Sequence, residues 1–185
     1  ENSIVGFDFA LSIGVDLLEF DVLLSRDDIP VITHNHEFHG SAVRGADGAF
    51  LNGEHPRVAS LTMAEIERFD IGRLNADTEY GRRFPDQAQM DGVRVPRLGE
   101  LLHLVSQPRY ATACLMLELK SDPDFAQDSA VRERIVSVIC RDVREAKLAD
   151  RTLLHSFDWA LLAECRRQAP DMPLSFLTQL QENEH

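Results

Sequence analysis

The feature that most constrains this chain is an alternation of short, nearly continuous apolar segments with amphipathic ones. Five segments have strand length and few polar residues in their middle: 16–24, 30–34, 113–120, 151–157 and 172–177. Strands buried on both faces, as in a parallel sheet covered by helices, have this composition. The pattern therefore predicts an α/β protein with a largely parallel sheet or barrel.

Amphipathic helices are predicted between these strands. In residues 129–148, five aliphatic side chains recur on one helical face: Val131, Ile135, Val138, Ile139 and Val143. Thr62 and Glu65 have the spacing of a capping box, and Asp158 can cap a helix that follows it. Pro96 is predicted to lie in the first turn of a further helix.

Length and charge limit the class of protein. The 185 residues include 31 acidic and 19 basic side chains, which gives a formal net charge of −12. Neither nucleic acid nor an anionic membrane surface is expected as a main partner, since both bind clustered Lys and Arg. No apolar run approaches the roughly 18 residues of a membrane span. Length predicts one domain over residues 1–185, but a complete eightfold barrel takes about 250 residues, so the barrel is incomplete or the fold is smaller.

Two further features concern loops and thiols. Residues 36–60 are rich in Gly, Asn, Asp and His without periodicity, which predicts a long loop or insertion, and such loops are usually functional or disordered. Cys114, Cys140 and Cys165 are widely spaced and are predicted to be buried thiols. Cysteine usage therefore leaves both a cytoplasmic and a periplasmic or other extracytoplasmic location open, and nothing here predicts the oligomeric state.

Two acidic residues share one face of the first predicted strand. Glu19 and Asp21 are two residues apart, so they point to the same side, while Phe20 points to the other. Like charges on an otherwise apolar strand resist burial unless a positive group lies between them, and a hard divalent cation such as Mg²⁺ or Ca²⁺ suits their oxygens. The alternative is an edge strand with a solvated acidic face.

The connection to the second strand is too short for a parallel crossover. Residues 25–29 fit a tight turn, which predicts an antiparallel hairpin. A turn centred on residues 27 and 28 places Asp21 opposite His34 and Glu19 opposite His36. In that register a metal-bound carboxylate and an imidazole meet within side-chain reach, which suits metal-assisted proton transfer.

A second charged strand end repeats this arrangement. Glu118 and Lys120 share one face of their strand, so Glu118 is predicted to complete a three-carboxylate cation site and Lys120 to hold an anionic group beside it. A simple Glu–Lys ion pair is the alternative. Among the histidines, His34 is the candidate for catalysis, since it ends a strand and has His36 and His39 nearby. The remaining four are predicted to be surface or core residues: His55, His103, His155 and His185.

An ordered series of motifs spans nearly the whole chain. The matching segments are Glu1-Asn2-Ser3, Gly14-Val-Asp-Leu-Leu-Glu-Phe-Asp-Val22, Ser25-Arg-Asp-Asp-Ile-Pro-Val-Ile-Thr-His-Asn35, Ser60-Leu-Thr, Val95-Pro-Arg-Leu-Gly-Glu-Leu-Leu102, Leu117-Glu-Leu-Lys120 and Ser156-Phe-Asp158. In these segments the sequence resembles the glycerophosphodiester phosphodiesterase family, in its bacterial form. The resemblance implies a phospholipase-C-like (β/α)₈ TIM-type barrel that hydrolyses glycerophosphodiesters to an alcohol and glycerol 3-phosphate.

The resemblance also implies roles for individual residues. Glu19, Asp21 and Glu118 would bind Ca²⁺ or Mg²⁺, and His34 would be one of two catalytic histidines. Lys120 occupies the place of a basic residue near the phosphate of the substrate. General base and general acid steps would activate a hydroxyl or water and protonate the leaving alkoxide, while the cation neutralises the phosphoryl oxygens.

The sequence departs from the family pattern at its ends and at one position inside it. The family's other catalytic histidine belongs to a His-Arg-Gly motif ahead of Glu1, and its closing strands would follow His185, so the first and last strands of the barrel are expected to be missing here. Asn35 replaces the usual Asp beside His34. We therefore expect low or no turnover from these 185 residues alone.

Two other functions remain open at this point. A zinc amidohydrolase-like barrel would use His34 and His36 as a ligand pair, although it leaves Glu19 and Asp21 without a role. A catalytically silent barrel would keep a phosphate-binding pocket without the chemistry. A sphingomyelinase-D-like lipid cleavage is a variant within the same superfamily that fits fewer of the motifs.

Overall fold

A five-stranded sheet forms the centre of the fold and is parallel except at one edge. The computed structural model describes residues 2–53, 55–124 and 127–179, so Glu1 and His185 lie outside the described residues. The strands are β1 (Leu17–Leu24), β2 (Pro30–Ile32), β3 (Cys114–Leu119), β4 (Thr152–Ser156) and β5 (Leu174–Phe176). Their order is β2-β1-β3-β4-β5, with only β2 antiparallel to its neighbour. The prediction of five strands in a largely parallel sheet is confirmed.

The described residues include six α-helices and three 3₁₀ helices, of which all but the first lie between strands. The α-helices are α1 (Ile4–Ser12), α2 (Met63–Ile66), α3 (Glu79–Arg83), α4 (Leu98–Val105), α5 (Ser129–Glu145) and α6 (Trp159–Gln168), and the 3₁₀ helices are Val58–Ser60, Pro108–Tyr110 and Ala149–Arg151. The capping box of Thr62 and Glu65 and the cap at Asp158 are confirmed. The place predicted for Pro96 is wrong, because it precedes the cap residue Arg97 and lies outside the first turn.

The main core lies on one face of the sheet, beneath the helices. Alternate residues of β1 and β3, among them Phe20 and Leu117, are fully buried there with Leu101, Ile139 and Leu161 of the helices. Because strand side chains alternate between faces, the intervening residues point to the opposite face, where the candidate site lies. Cys140 and Cys165 are buried, and burial raises the pKa of their thiols to about 11 and about 12. Cys114 is exposed, so the prediction that it is buried is wrong.

The β1–β2 hairpin has a register that differs by one residue from the prediction. Val22 pairs with Ile32, and the amide of Thr33 donates to the carbonyl of Asp21 over 3.1 Å. The predicted pairing of Asp21 with His34 is therefore wrong, as is that of Glu19 with His36. The cause is a three-residue turn closed between Ser25 and Ile29, with Asp28 in the left-handed region at φ 58°. This is a common alternative to the two-residue hairpin turn, and a slip of one residue changes every facing pair.

The described part of residues 36–95 packs against β1 and β2 around a second, smaller core. The buried side chains of that core are Leu23, Val31, Phe38, Val43, Val58, Met63, Ile66 and Val95. Arg44 and Asp70 form an ion pair at 2.8 Å, with 12% of each side chain exposed. Asp70 also accepts hydrogen bonds from the amides of Gly72 and Gly92. The described part of the predicted 36–60 loop is thus tied to this core through isolated bridges and buried charges.

None of the helices in the described ranges has both the length and the hydropathy of a transmembrane span.

Candidate active site

Three polar side chains form a row across the middle of the sheet. Asp21 of β1 is aligned with Glu118 of β3, and Glu118 is aligned with His155 of β4. All three are buried. The row lies near the carboxyl ends of parallel strands, where α/β barrels carry their active sites.

Lys120 supplies a positive charge between the carboxylates. Its Nζ lies 2.9 Å from Oε1 of Glu118 and 3.1 Å from Oδ1 of Asp21, and 13% of the side chain is exposed. Burial by itself lowers the pKa of Lys120, but the hydrogen bonds and charges of Glu118 and Asp21 outweigh it, so the pKa is raised overall. The ammonium is therefore charged, and two of its three N–H donors are engaged.

Both oxygens of Asp21 contact a neighbouring residue. Its second oxygen, Oδ2, accepts a hydrogen bond of 3.0 Å from Nδ2 of Asn2, which precedes α1. Asn2 has φ 48°, a left-handed conformation that Asn tolerates better than most residues. Asn2 and Lys120 thus hold Asp21 from two sides.

Glu19 lies on the same face of β1 but closer to solvent, with 46% of its side chain exposed. Burial raises the pKa of Glu19, and the charges of Asp21 and Glu118 raise it further. One oxygen of Glu19, one oxygen of Glu118 and one ring nitrogen of His155 all lie within 4.8 Å of one another. Two carboxylates and an imidazole can hold a divalent cation. The residues present therefore fit the divalent cation that the sequence predicts at this site.

His155 is buried, as the prediction of a surface or core residue allows, but sequence reasoning missed its place beside the acidic cluster. It is only 2% exposed, and its Nε2 lies 3.6 Å from Oε1 of Glu19. Burial lowers the pKa of His155, so the ring is neutral at physiological pH. One signal could have found it: His155 is an imidazole in the strand after Glu118, at the same level of the predicted parallel sheet. Using that signal requires the register between β3 and β4, which periodicity does not give.

His34 lies just past β2 and is exposed. Its Nδ1 lies 3.0 Å from Oδ1 of Asn35. Together with Asn2, Glu19 and Asp21, His34 lines a cavity of about 390 Å³, and a neighbouring cavity of about 440 Å³ extends from His34 into the 36–95 segment. The tertiary structure thus brings His34 to the acidic cluster through a shared cavity rather than through strand pairing.

The other histidines near His34 do not join the acidic cluster. Burial lowers the pKa of His36, against the opposing charge of Asp122. Nδ1 of His39 lies 3.1 Å from Nδ1 of His55. Within the described ranges, the one group of three or more potential metal ligands contains neither His34 nor His36, so the geometry does not support the zinc amidohydrolase alternative.

Comparison with known proteins identifies the family and agrees with the fold. The model of the "Glycerophosphoryl diester phosphodiesterase family" matches residues 1–185. A solved structure of this family from Silicibacter pomeroyi DSS-3 is 50% identical, with a TM-score of 0.95, and the match covers all of this chain and 62% of that one. One from Agrobacterium tumefaciens, at 22% identity and a TM-score of 0.64, shares the fold over 94% of this chain.

Curated relatives are more distant in sequence. The glycerophosphodiester phosphodiesterase of Caldanaerobacter subterraneus is 25% identical over 179 residues, which are 97% of this chain and 61% of that protein. The chain thus spans about three fifths of the length of the curated relatives it matches. The mixed, mainly parallel sheet corresponds to part of a TIM-type barrel, as predicted, and the chain belongs to the glycerophosphoryl diester phosphodiesterase family.

Proposed function

We propose that the protein containing this chain hydrolyses glycerophosphodiesters to an alcohol and glycerol 3-phosphate. The observation that carries the proposal is the cluster of Glu19, Asp21, Glu118 and Lys120 at the carboxyl ends of adjacent parallel strands, beside a cavity that His34 also lines. The family match over residues 1–185 supports it. An Oleispira antarctica phosphodiesterase with the same fold, at a TM-score of 0.71 and 20% identity, was solved in complex with the product sn-glycerol-3-phosphate.

Glu19, Asp21 and Glu118 are proposed to hold a divalent cation. Carboxylate ligands alone suit Ca²⁺ or Mg²⁺. When bound, such a cation would neutralise charge on the phosphoryl oxygens. Glu19 and Glu118 belong to the group of potential ligands within 4.8 Å of one another. Asp21 contacts Lys120, which also contacts Glu118.

Lys120 is proposed to bind the phosphate group of the substrate. Glu118 and Asp21 engage two of its N–H donors and fix the side chain in place. The third donor remains for a phosphoryl oxygen. Since both carboxylates also hold the ammonium charged, Lys120 can attract the phosphodiester anion without a change of protonation.

His34 is proposed as a general acid and base. With Nδ1 donating to Oδ1 of Asn35, Nε2 carries the lone pair of the neutral ring. It can accept a proton from the hydroxyl or water that attacks phosphorus, and the protonated ring can then donate to a leaving alkoxide. The side chain lies at the boundary of the two cavities, where substrate can reach it.

The test is release of glycerol 3-phosphate from glycerophosphocholine by the natural full-length protein, with and without a chelator. We expect the chelator to abolish release, and His34→Gln to reduce it at least about a hundredfold, the lower range for a general acid or base. His103→Gln, on the exposed side of α4, is the matched control and should retain activity. Binding of glycerophosphocholine without hydrolysis would contradict the proposal and favour the silent phosphate-binding barrel.

A further inference from the structure

Neither ring nitrogen of the buried imidazole of His155 has a hydrogen-bond partner among the described residues. The residue is only 2% exposed. Burying such a nitrogen costs free energy unless something pairs with it, and native structures rarely leave one alone. Oε1 of Glu19 lies 3.6 Å from Nε2 of His155.

That separation indicates what could lie between the two atoms. It is too long for a hydrogen bond, whose N···O distance is about 2.7–3.2 Å. Two ligand atoms that each bind a tetrahedral transition-metal ion at about 2.1 Å lie about 3.4 Å apart, close to the observed separation. One oxygen of Glu118 lies within 4.8 Å of a carboxylate oxygen of Glu19 and of a ring nitrogen of His155, so Glu118 can provide a third ligand.

Asp21 is a weaker candidate for the third ligand than His155. Both of its oxygens already have partners, Oδ1 in Lys120 and Oδ2 in Asn2. A cation bound through Asp21 would share a carboxylate oxygen with Lys120 or Asn2. His155 has no contact to lose at Nε2, and it faces the same acidic group from β4.

We infer that Nε2 of His155 is a cation ligand together with the carboxylates of Glu19 and Glu118, and that the site prefers a first-row transition-metal ion to Ca²⁺ or Mg²⁺. Imidazole nitrogen is a good ligand for Fe²⁺, Co²⁺, Ni²⁺ and Zn²⁺ and a poor one for the hard alkaline-earth cations. This inference rests on the proposed function only in assuming a divalent cation at this site. The predicted cation is a transition-metal ion, whereas carboxylate ligands alone would suggest Ca²⁺ or Mg²⁺.

The first test compares Co²⁺ and Mg²⁺ binding by isothermal titration calorimetry, with the metal-free full-length protein. His39→Gln is the background for all titrations, because the His39–His55 pair could bind Co²⁺ by itself. His155→Gln places an amide oxygen near the position of Nε2, so it retains an oxygen ligand and removes the nitrogen. His103→Gln is the control for loss of a histidine elsewhere.

We expect His155→Gln to weaken Co²⁺ binding at least about tenfold, the smallest loss seen even for indirect partners of metal ligands, and to leave Mg²⁺ binding nearly unchanged. His103→Gln should change neither. Unchanged Co²⁺ affinity in His155→Gln, or equal loss of both affinities, would overturn the inference.

A second test does not depend on folding of a variant at a buried position. Pulsed electron paramagnetic resonance of Mn²⁺ bound to the His39→Gln protein should show modulation from a directly coordinated ¹⁴N nucleus. Absence of that modulation, with Mn²⁺ bound, would overturn the inference while the hydrolysis proposal stands. Nitrogen coordination without any glycerophosphodiester hydrolysis would support the inference and reject the proposed function.

Discussion

Nζ of Lys120 lies 2.9 Å from Oε1 of Glu118, two residues away on the same face of the sheet. The same ammonium also reaches Asp21, so one buried cation compensates two buried carboxylates. Removal of this charge leaves like charges facing each other in a poorly hydrated site.

Replacement of this ammonium should be costly for folding. We expect Lys120→Met to lower the free energy of unfolding by about 3 kcal/mol, the lower end for loss of one partner from a buried pair. Adding Glu118→Gln to that variant should restore part of the loss, because it removes one uncompensated charge. Urea denaturation without divalent cations measures both changes. Lys147→Met, at an exposed position, is the control, and an equal loss there would reject the explanation.

The contact between His34 and Asn35 should orient the imidazole for proton transfer. With Nδ1 held by Oδ1 of Asn35, Nε2 faces the position of the substrate. Asn35→Ala removes this contact and should lower kcat by up to roughly a hundredfold, the cost of a misplaced catalytic group, with little change in KM. Steady-state kinetics of the full-length enzyme on glycerophosphocholine measure both constants, and an unchanged kcat in Asn35→Ala would show that the contact does not position His34.

Asp70 should make the 36–95 segment sensitive to acid. Burial alone raises the pKa of Asp70, but hydrogen bonds from the amides of Gly72 and Gly92, together with the charge of Arg44, lower it overall. The folded pKa then lies below the unfolded value of about 3.9. The contribution to stability is present above that pH and is lost as pH falls through the folded pKa.

Asp70→Asn should therefore lower stability by roughly 2 kcal/mol at pH 7, within the range for loss of a buried acceptor. Acidification should then cost the variant less than it costs the unmodified protein. Urea denaturation between neutral pH and about pH 3 measures how steeply the free energy of unfolding changes with pH in the variant and in the unmodified protein. Asp150→Asn, at an exposed position of the Ala149–Arg151 3₁₀ helix, is the control. It should leave the pH dependence of the free energy of unfolding unchanged. Parallel slopes for Asp70→Asn and the unmodified protein would contradict the assignment.

Local patterns predict much of the sheet and part of the site. The period of two in a strand places Glu19 with Asp21, and Glu118 with Lys120, and both pairs lie on the predicted faces. That inference needs only the geometry of one strand. The five strand positions follow equally from composition, with ends that differ by at most two residues.

Features that depend on how separate segments meet were predicted less well. The hairpin register depends on whether the turn has two or three residues, and the left-handed Asp28 decides it. The ordering of residues 36–60 depends on Asp70, far along the chain, whose carboxylate gathers Arg44 and two backbone amides. Neither the conformation of Asp28 nor the contacts of Asp70 can be recognised from the neighbouring sequence.

The amino-acid sequence by itself determined the α/β class, the family and the faces on which four charged side chains lie, because these depend on local periodicity and ordered motifs. Only the tertiary structure decided that Lys120 spans two carboxylates and that His155 joins them. Those contacts cross three strands, and the register between parallel strands is set by the packing of the helices that connect them.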